Sequence, residues 1–175
     1  MKNFLLFFTL IFLSSCSSFR ALPESNLSVD DQIKLYIKKY APAATKNMRF
    51  YKIPASITLA QGILESGHGQ STLAKKANNH FGIKCHKGWK GKSISHDDDA
   101  KDECFRSYKN PLRSYKDHSL FLVERDRYSS LFKLNRKDYE SWALGLKAAG
   151  YATDPKYAEK LISLIERFKL NRFDE

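Results

Sequence analysis

Glu65 is the residue around which chemistry can be built. It closes an apolar stretch that begins at Ile57, and Ser66 and Gly67 follow at once. Ile57, Ala60, Ile63 and Leu64 recur at helical spacing, which predicts a helix with one buried face. Pro54 suits its first turn, where a missing N–H costs nothing. Gly67 supplies a left-handed stop. A carboxylate in that last turn meets the negative end of the helix dipole and apolar neighbours, and both raise its pKa. A carboxyl that holds its proton near neutral pH can give it to a leaving group. The competing reading is a solvated last-turn residue.

Two further groups carry chemistry. Asp97, Asp98, Asp99, Asp102 and Glu103 form a run dense in carboxylates. Cys85 and Cys104 flank it, with His80, His86 and His96 nearby. A metal site is one reading of those Cys and His residues, but no C-x-x-C and no zinc spacing is present. A disulfide between Cys85 and Cys104 is the simpler reading for an exported chain.

Export is read from the N-terminus. Lys2 precedes an apolar run from Phe4 to Leu13, too short to span a membrane and laid out like a signal peptide. Leu13-Ser14-Ser15-Cys16 resembles a bacterial lipobox, so Cys16 is expected to be the lipidated first residue of the mature protein. Residues 1–15 are then signal peptide, 16–28 lipidated N-terminus and linker, and 29–175 one domain. Ser17 after the Cys points to the outer membrane, facing the periplasm, if the host is Gram-negative.

The domain must place Glu65. Its length suits one core rather than two. Ser28 with Asp30 and Asp31 predicts a helix start, and Ile33, Tyr36, Ile37 and Tyr40 a helix ending near Pro42. Pro42 is expected to open a second helix through about Tyr51. A short helix follows from Ser71 to Lys76. Residues 92–96 and 104–108 predict a small hairpin. Further helices are expected from Ser114 to about Glu124, from Tyr128 to Leu134, from Asp138 to Ala149 with Gly150 as stop, and from Pro155 to Phe168. The fold class is mainly α (α+β).

The chain carries 30 Lys and Arg against 19 Asp and Glu, a formal charge of +11, with 12 Phe, 9 Tyr and 2 Trp. Such a surface suits nucleic acid, an anionic membrane or an acidic polysaccharide. The lipid anchor and the lack of a recognised nucleic-acid motif argue against nucleic acid.

The run from Ile53 to Gly69 closely resembles the main motif of the bacterial glucosaminidases of glycoside hydrolase family 73. Asn78 to Lys84 is similar to that family's next motif, Phe105 to Tyr108 to its hairpin exit, and Ala149 to Ala158 to its C-terminal motif. The matches run in order from about Ile53 to Leu170.

The resemblance implies a lysozyme-like fold with a small β-hairpin lobe over the cleft. It also implies hydrolysis of the β-1,4 bond after N-acetylglucosamine in peptidoglycan. It places Glu65 as general acid and Tyr151 in the cleft. Where many members have a Glu on the first strand of the lobe, this chain has Ser95-His96-Asp97-Asp98. Asp97 is the first candidate for the second carboxylate and Asp98 the second. The alternative is a solvated acidic turn. Phe81 and Trp89, with Asn79 and Tyr157, are the expected sugar contacts, although Trp89 is equally readable as buried structure. No metal or organic cofactor is expected, and the protein is expected to be a monomer. A lytic transglycosylase, which needs one Glu, is the nearest rival, and a non-catalytic peptidoglycan-binding lipoprotein is another.

Overall fold

A computed structural model describes residues 27–98 and 100–175. Lipidation of Cys16 and the signal peptide lie outside the described residues. Among the described residues six α-helices and one hairpin follow in order: α1 (Val29–Tyr51), α2 (Ala55–Ser66), α3 (Thr72–Ala77), β1 (Ser93–His96), β2 (Glu103–Arg106), α4 (Pro111–Val123), α5 (Tyr139–Ala148) and α6 (Tyr157–Arg167). Short 3-10 turns span Asp126–Lys133 and Leu170–Phe173.

α2 is the central element. Residues from Ala55 through Ile63 are all buried, together with Ser66. The expected single buried face is therefore exceeded, and the helix is enclosed on all sides by α1, α5, α6 and the C-terminal turn. Enclosure explains the small residues on it. A Cβ on Gly62 would lie 2.7 Å from the Tyr36 hydroxyl and 2.9 Å from that of Tyr115. Gly67 ends the helix with φ of 52°, as its type predicts.

The start of α2 has a partner no local motif reveals. Its cap position is Pro54, which has no side-chain cap. Asp174, 118 residues away, accepts from the Ser56 N–H at 2.8 Å and from its hydroxyl at 2.5 Å. Both residues are buried. Asp174→Ala should therefore lower the unfolding free energy by about 1–3 kcal/mol, the cost of stranding a buried donor. Chemical denaturation would show it; an unchanged midpoint would remove Asp174 as the cap.

Pro42 does not divide α1. The helix runs unbroken from Val29 to Tyr51. An internal proline costs roughly 3 kcal/mol. It is offset because Tyr36, Ile37, Tyr40, Ala41, Ala44 and Met48 form one buried stripe across it. α4 begins earlier than expected: Asn110, not Ser114, caps it, with Pro111 in its first turn. Ser114 is buried within the helix and accepts from the His80 N–H at 3.0 Å. The segment read as a helix from Tyr128 is the 3-10 turn from Asp126.

The hairpin pairs Ile94 with Phe105 and His96 with Glu103. A Cys85–Cys104 disulfide ties it to the preceding loop, and the Cys85 N–H donates to the Cys104 carbonyl at 2.7 Å. The bond consumes the two Cys of the competing metal reading. Among the described residues no three His, Cys, Asp or Glu side chains converge as a metal site, and no helix is long and apolar enough to cross a membrane.

Candidate active site

A cleft of about 580 Å³ opens where the C-terminal end of α2 meets the hairpin and the loop after α5. Glu65 lines it from α2, Asp98 from the hairpin turn, and Tyr151, Asp154 and Tyr157 from the C-terminal side.

Glu65 is half-buried. Burial pushes its carboxyl up to about 7, and the negative charge of Asp98 adds to the rise. A hydrogen bond from the Tyr157 hydroxyl to Glu65 Oε1, 3.1 Å long, opposes it. The Tyr157 hydroxyl in turn accepts from Gln61 Nε2 at 2.9 Å. Gln61 precedes Glu65 by one helical turn, so both face the same side of α2. The relay Gln61, Tyr157, Glu65 fixes the rotamer of the carboxyl and leaves its second oxygen uncommitted by that relay.

Tyr157→Phe should raise the titration midpoint of Glu65 above about 7, because the lost bond favoured the ionised form. Carboxyl carbon NMR would follow it. A midpoint unchanged or lowered would mean that the tyrosine does not act through this bond.

The two acidic candidates separate. Asp98 lines the cleft and pairs with Lys84 at 3.3 Å. Asp97 is outside the lining set, and its carboxylate accepts the Asp102 N–H at 2.7 Å within the turn. Of the two candidates, Asp98 lines the cleft and Asp97 does not. Glu103 is directed at Lys84, at 2.9 Å, and also lies outside the lining set.

Tyr151 is half-buried in the cleft wall, stacked on Tyr157 with ring centroids 5.6 Å apart. Phe81 lines the cleft yet is almost enclosed, stacked on His118 at 4.0 Å. Tyr157 is 2 % exposed, so it serves Glu65 more than any ligand. Asn79 departs from its expected role. It is buried and closes its own turn: Nδ2 donates to the carbonyls of Ile83 and Arg106, and Oδ1 accepts from Ile83 N–H. Trp89 is also outside the cleft. Arg106 stacks over its ring at 4.3 Å, and its indole N–H donates to Lys92 O at 3.2 Å.

Three residues in or behind the cleft wall escaped the sequence reading. Asp154 enters the wall and pairs with Lys160 at 2.5 Å, which holds its carboxyl below the usual range. Gln61 was findable from its spacing to Glu65. His118 carries no local signal; it is fully enclosed behind Phe81, with both ring nitrogens unpartnered among the described residues, and burial pushes it down to about 3.

A half-buried carboxyl at the end of a central helix, under a short hairpin, defines a lysozyme-like domain. The chain belongs to the glucosaminidase family, whose model, described as mannosyl-glycoprotein endo-beta-N-acetylglucosaminidase, matches residues 41–170. It is 33% identical to the exo-glucosaminidase LytG of Bacillus subtilis over 158 residues, which is 83% of this chain and 55% of that protein. It is 33% identical to the peptidoglycan hydrolase FlgJ of Vibrio parahaemolyticus over 79% of this chain and 48% of that one. The chain thus spans about half the length of these relatives. The glycoside hydrolase domain of Salmonella typhimurium FlgJ superposes with a TM-score of 0.66 at 30% identity, covering 82% of this chain and 89% of that domain. The catalytic domain of the Listeria monocytogenes autolysin Auto gives 0.71 at 26% identity, over 89% and 91%.

Proposed function

We propose that the chain is a peptidoglycan hydrolase that cleaves the β-1,4 bond after N-acetylglucosamine, with Glu65 as general acid. The observation that carries this reading is the Glu65 carboxyl, pushed up to about 7 at the floor of a cleft. The names of the relatives agree with it: an exo-glucosaminidase and peptidoglycan hydrolases.

Glu65 protonates the glycosidic oxygen as the bond to the anomeric carbon breaks. Asp98, which also lines the cleft, activates water on the opposite face of the sugar. A two-carboxylate reaction with a water between them inverts the anomeric centre. Tyr151 offers its ring to the sugar. The positive surface draws in the anionic polymer, an attraction that added salt weakens.

The test is the chemistry of the new chain ends. Peptidoglycan digested by the full chain in detergent, then reduced with borohydride, should yield reduced N-acetylglucosamine ends by mass spectrometry. Anhydro-muramic ends would replace this reading with a lytic transglycosylase. Binding without cleavage would leave a non-catalytic lipoprotein.

The envelope location is part of the proposal. Cys16 would carry lipid and hold a monomeric domain at the outer membrane through the linker up to Ser28. Labelled palmitate should enter the wild-type chain and not Cys16→Ala; equal labelling would remove the anchor.

A further inference from the structure

A second groove, of about 970 Å³, lies on the other side of α3 from the cleft. Ser71 and Leu73 face the cleft, whereas Gln70, Ala74, Lys75 and Asn78 face the groove. The N-terminal half of α1 forms the opposite wall. Lys38, Lys39 and Lys75 line the groove, and no Asp or Glu does. All three lysines are exposed, and none forms an ion pair with a described residue.

Its floor is a built hydrogen-bond chain. The Tyr115 hydroxyl donates to that of Tyr36 at 2.8 Å, and the Tyr36 hydroxyl shares a hydrogen bond with His80 Nδ1 at 3.0 Å. His80 is 3 % exposed, and burial with nearby Lys39 pushes it down to about 4, so the ring is neutral. A neutral ring bonded at Nδ1 keeps Nε2 for a further hydrogen bond. That nitrogen has no described hydrogen-bond partner and is not among the enclosed unpartnered atoms. It therefore opens into the groove that His80 lines. The groove presents one neutral imidazole at its floor and three ammonium groups at its rim.

We propose that this groove takes the carboxylates of the peptide attached to the glycan strand, so that the domain reads peptide and sugar together. The inference rests on the peptidoglycan reading above. A flat lipid surface does not enter a concave groove, whereas an extended peptide does. The reach is sufficient: a helix is about 10–12 Å across. A stem peptide of four or five residues spans roughly 13–17 Å when extended. A stem whose sugar occupies the cleft can thus cross α3 and place its terminal carboxylates between Lys39 and Lys75.

The full chain in detergent, with labelled histidine, would be titrated with a stem tetrapeptide released from peptidoglycan. The His80 ring signals should shift, and Lys39→Glu with Lys75→Glu should weaken the apparent affinity about tenfold. A peptide with its carboxylates methyl-esterified should not bind. No shift at millimolar peptide, or equal binding of the ester, overturns the proposal, as does a His80 response to phosphatidylglycerol vesicles alone. On polymers, the double variant should slow cleavage of intact peptidoglycan at least about fivefold more than cleavage of peptide-free strands. Equal slowing on both also overturns it. Cleavage by the wild type with no peptide shift sinks the groove alone. A peptide shift without cleavage sinks the glycosidase reading alone.

Discussion

Replacing Glu65 by Gln should lower kcat/KM for peptidoglycan cleavage by about 10²–10⁴-fold, the contribution of a placed general acid. The substitution isolates the proton. Gln has nearly the same shape, and its carbonyl oxygen still accepts from the Tyr157 hydroxyl, which lies 3.1 Å from Oε1 in the wild type. Sugar binding should therefore persist while the leaving oxygen goes unprotonated. A pull-down on peptidoglycan beside a rate assay separates the two. Rate and binding falling together would point to a structural defect. A rate within about threefold of wild type would leave no room for an acid worth several kcal/mol. The wild-type rate should also fall as pH rises through about 7, where burial no longer keeps the proton on Glu65.

The parts of this site that were legible in the sequence are those governed by neighbours along the chain. Gly67 had to end α2 because a left-handed residue was needed there, and Glu65 was thereby placed at a helix end. The Cys pair and the hairpin followed from composition and spacing. The parts that were not legible depend on distant packing. Pro42 looked like a break because its local cost is visible in sequence, while the buried stripe that offsets it is not. Asp97 and Asp98 are neighbours of one type, and only the turn, which directs one to Asp102 N–H and the other to the cleft, tells them apart. Tyr157 read as a sugar contact, because the Gln61 and Glu65 bonds at its hydroxyl join elements more than 90 residues apart. The Asp174 cap on α2 is hidden for the same reason.

The same Glu65→Gln substitution should make the protein more stable above neutral pH. The carboxyl titrates near 4.5 in the unfolded chain and at about 7 in the folded one. Below 4.5 it is protonated in both states, and Glu and Gln should be nearly equivalent. Between 4.5 and 7 the unfolded chain ionises freely while the folded one holds the proton, so the wild type loses stability with rising pH. Above 7 the folded protein carries a half-buried charge, and the full deficit is present. The midpoint difference corresponds to a gain for Gln on the order of 3 kcal/mol. That is roughly 6–12 °C in Tm for a domain of this size. Thermal melts of both proteins at pH 4 and pH 8 would show it, with the curves together at the lower pH and apart at the higher. A gap of equal size at both values would assign the effect to packing rather than charge. A gap confined to pH 8 would show that the folded state loses stability by ionising the same group whose raised pKa equips it to donate a proton.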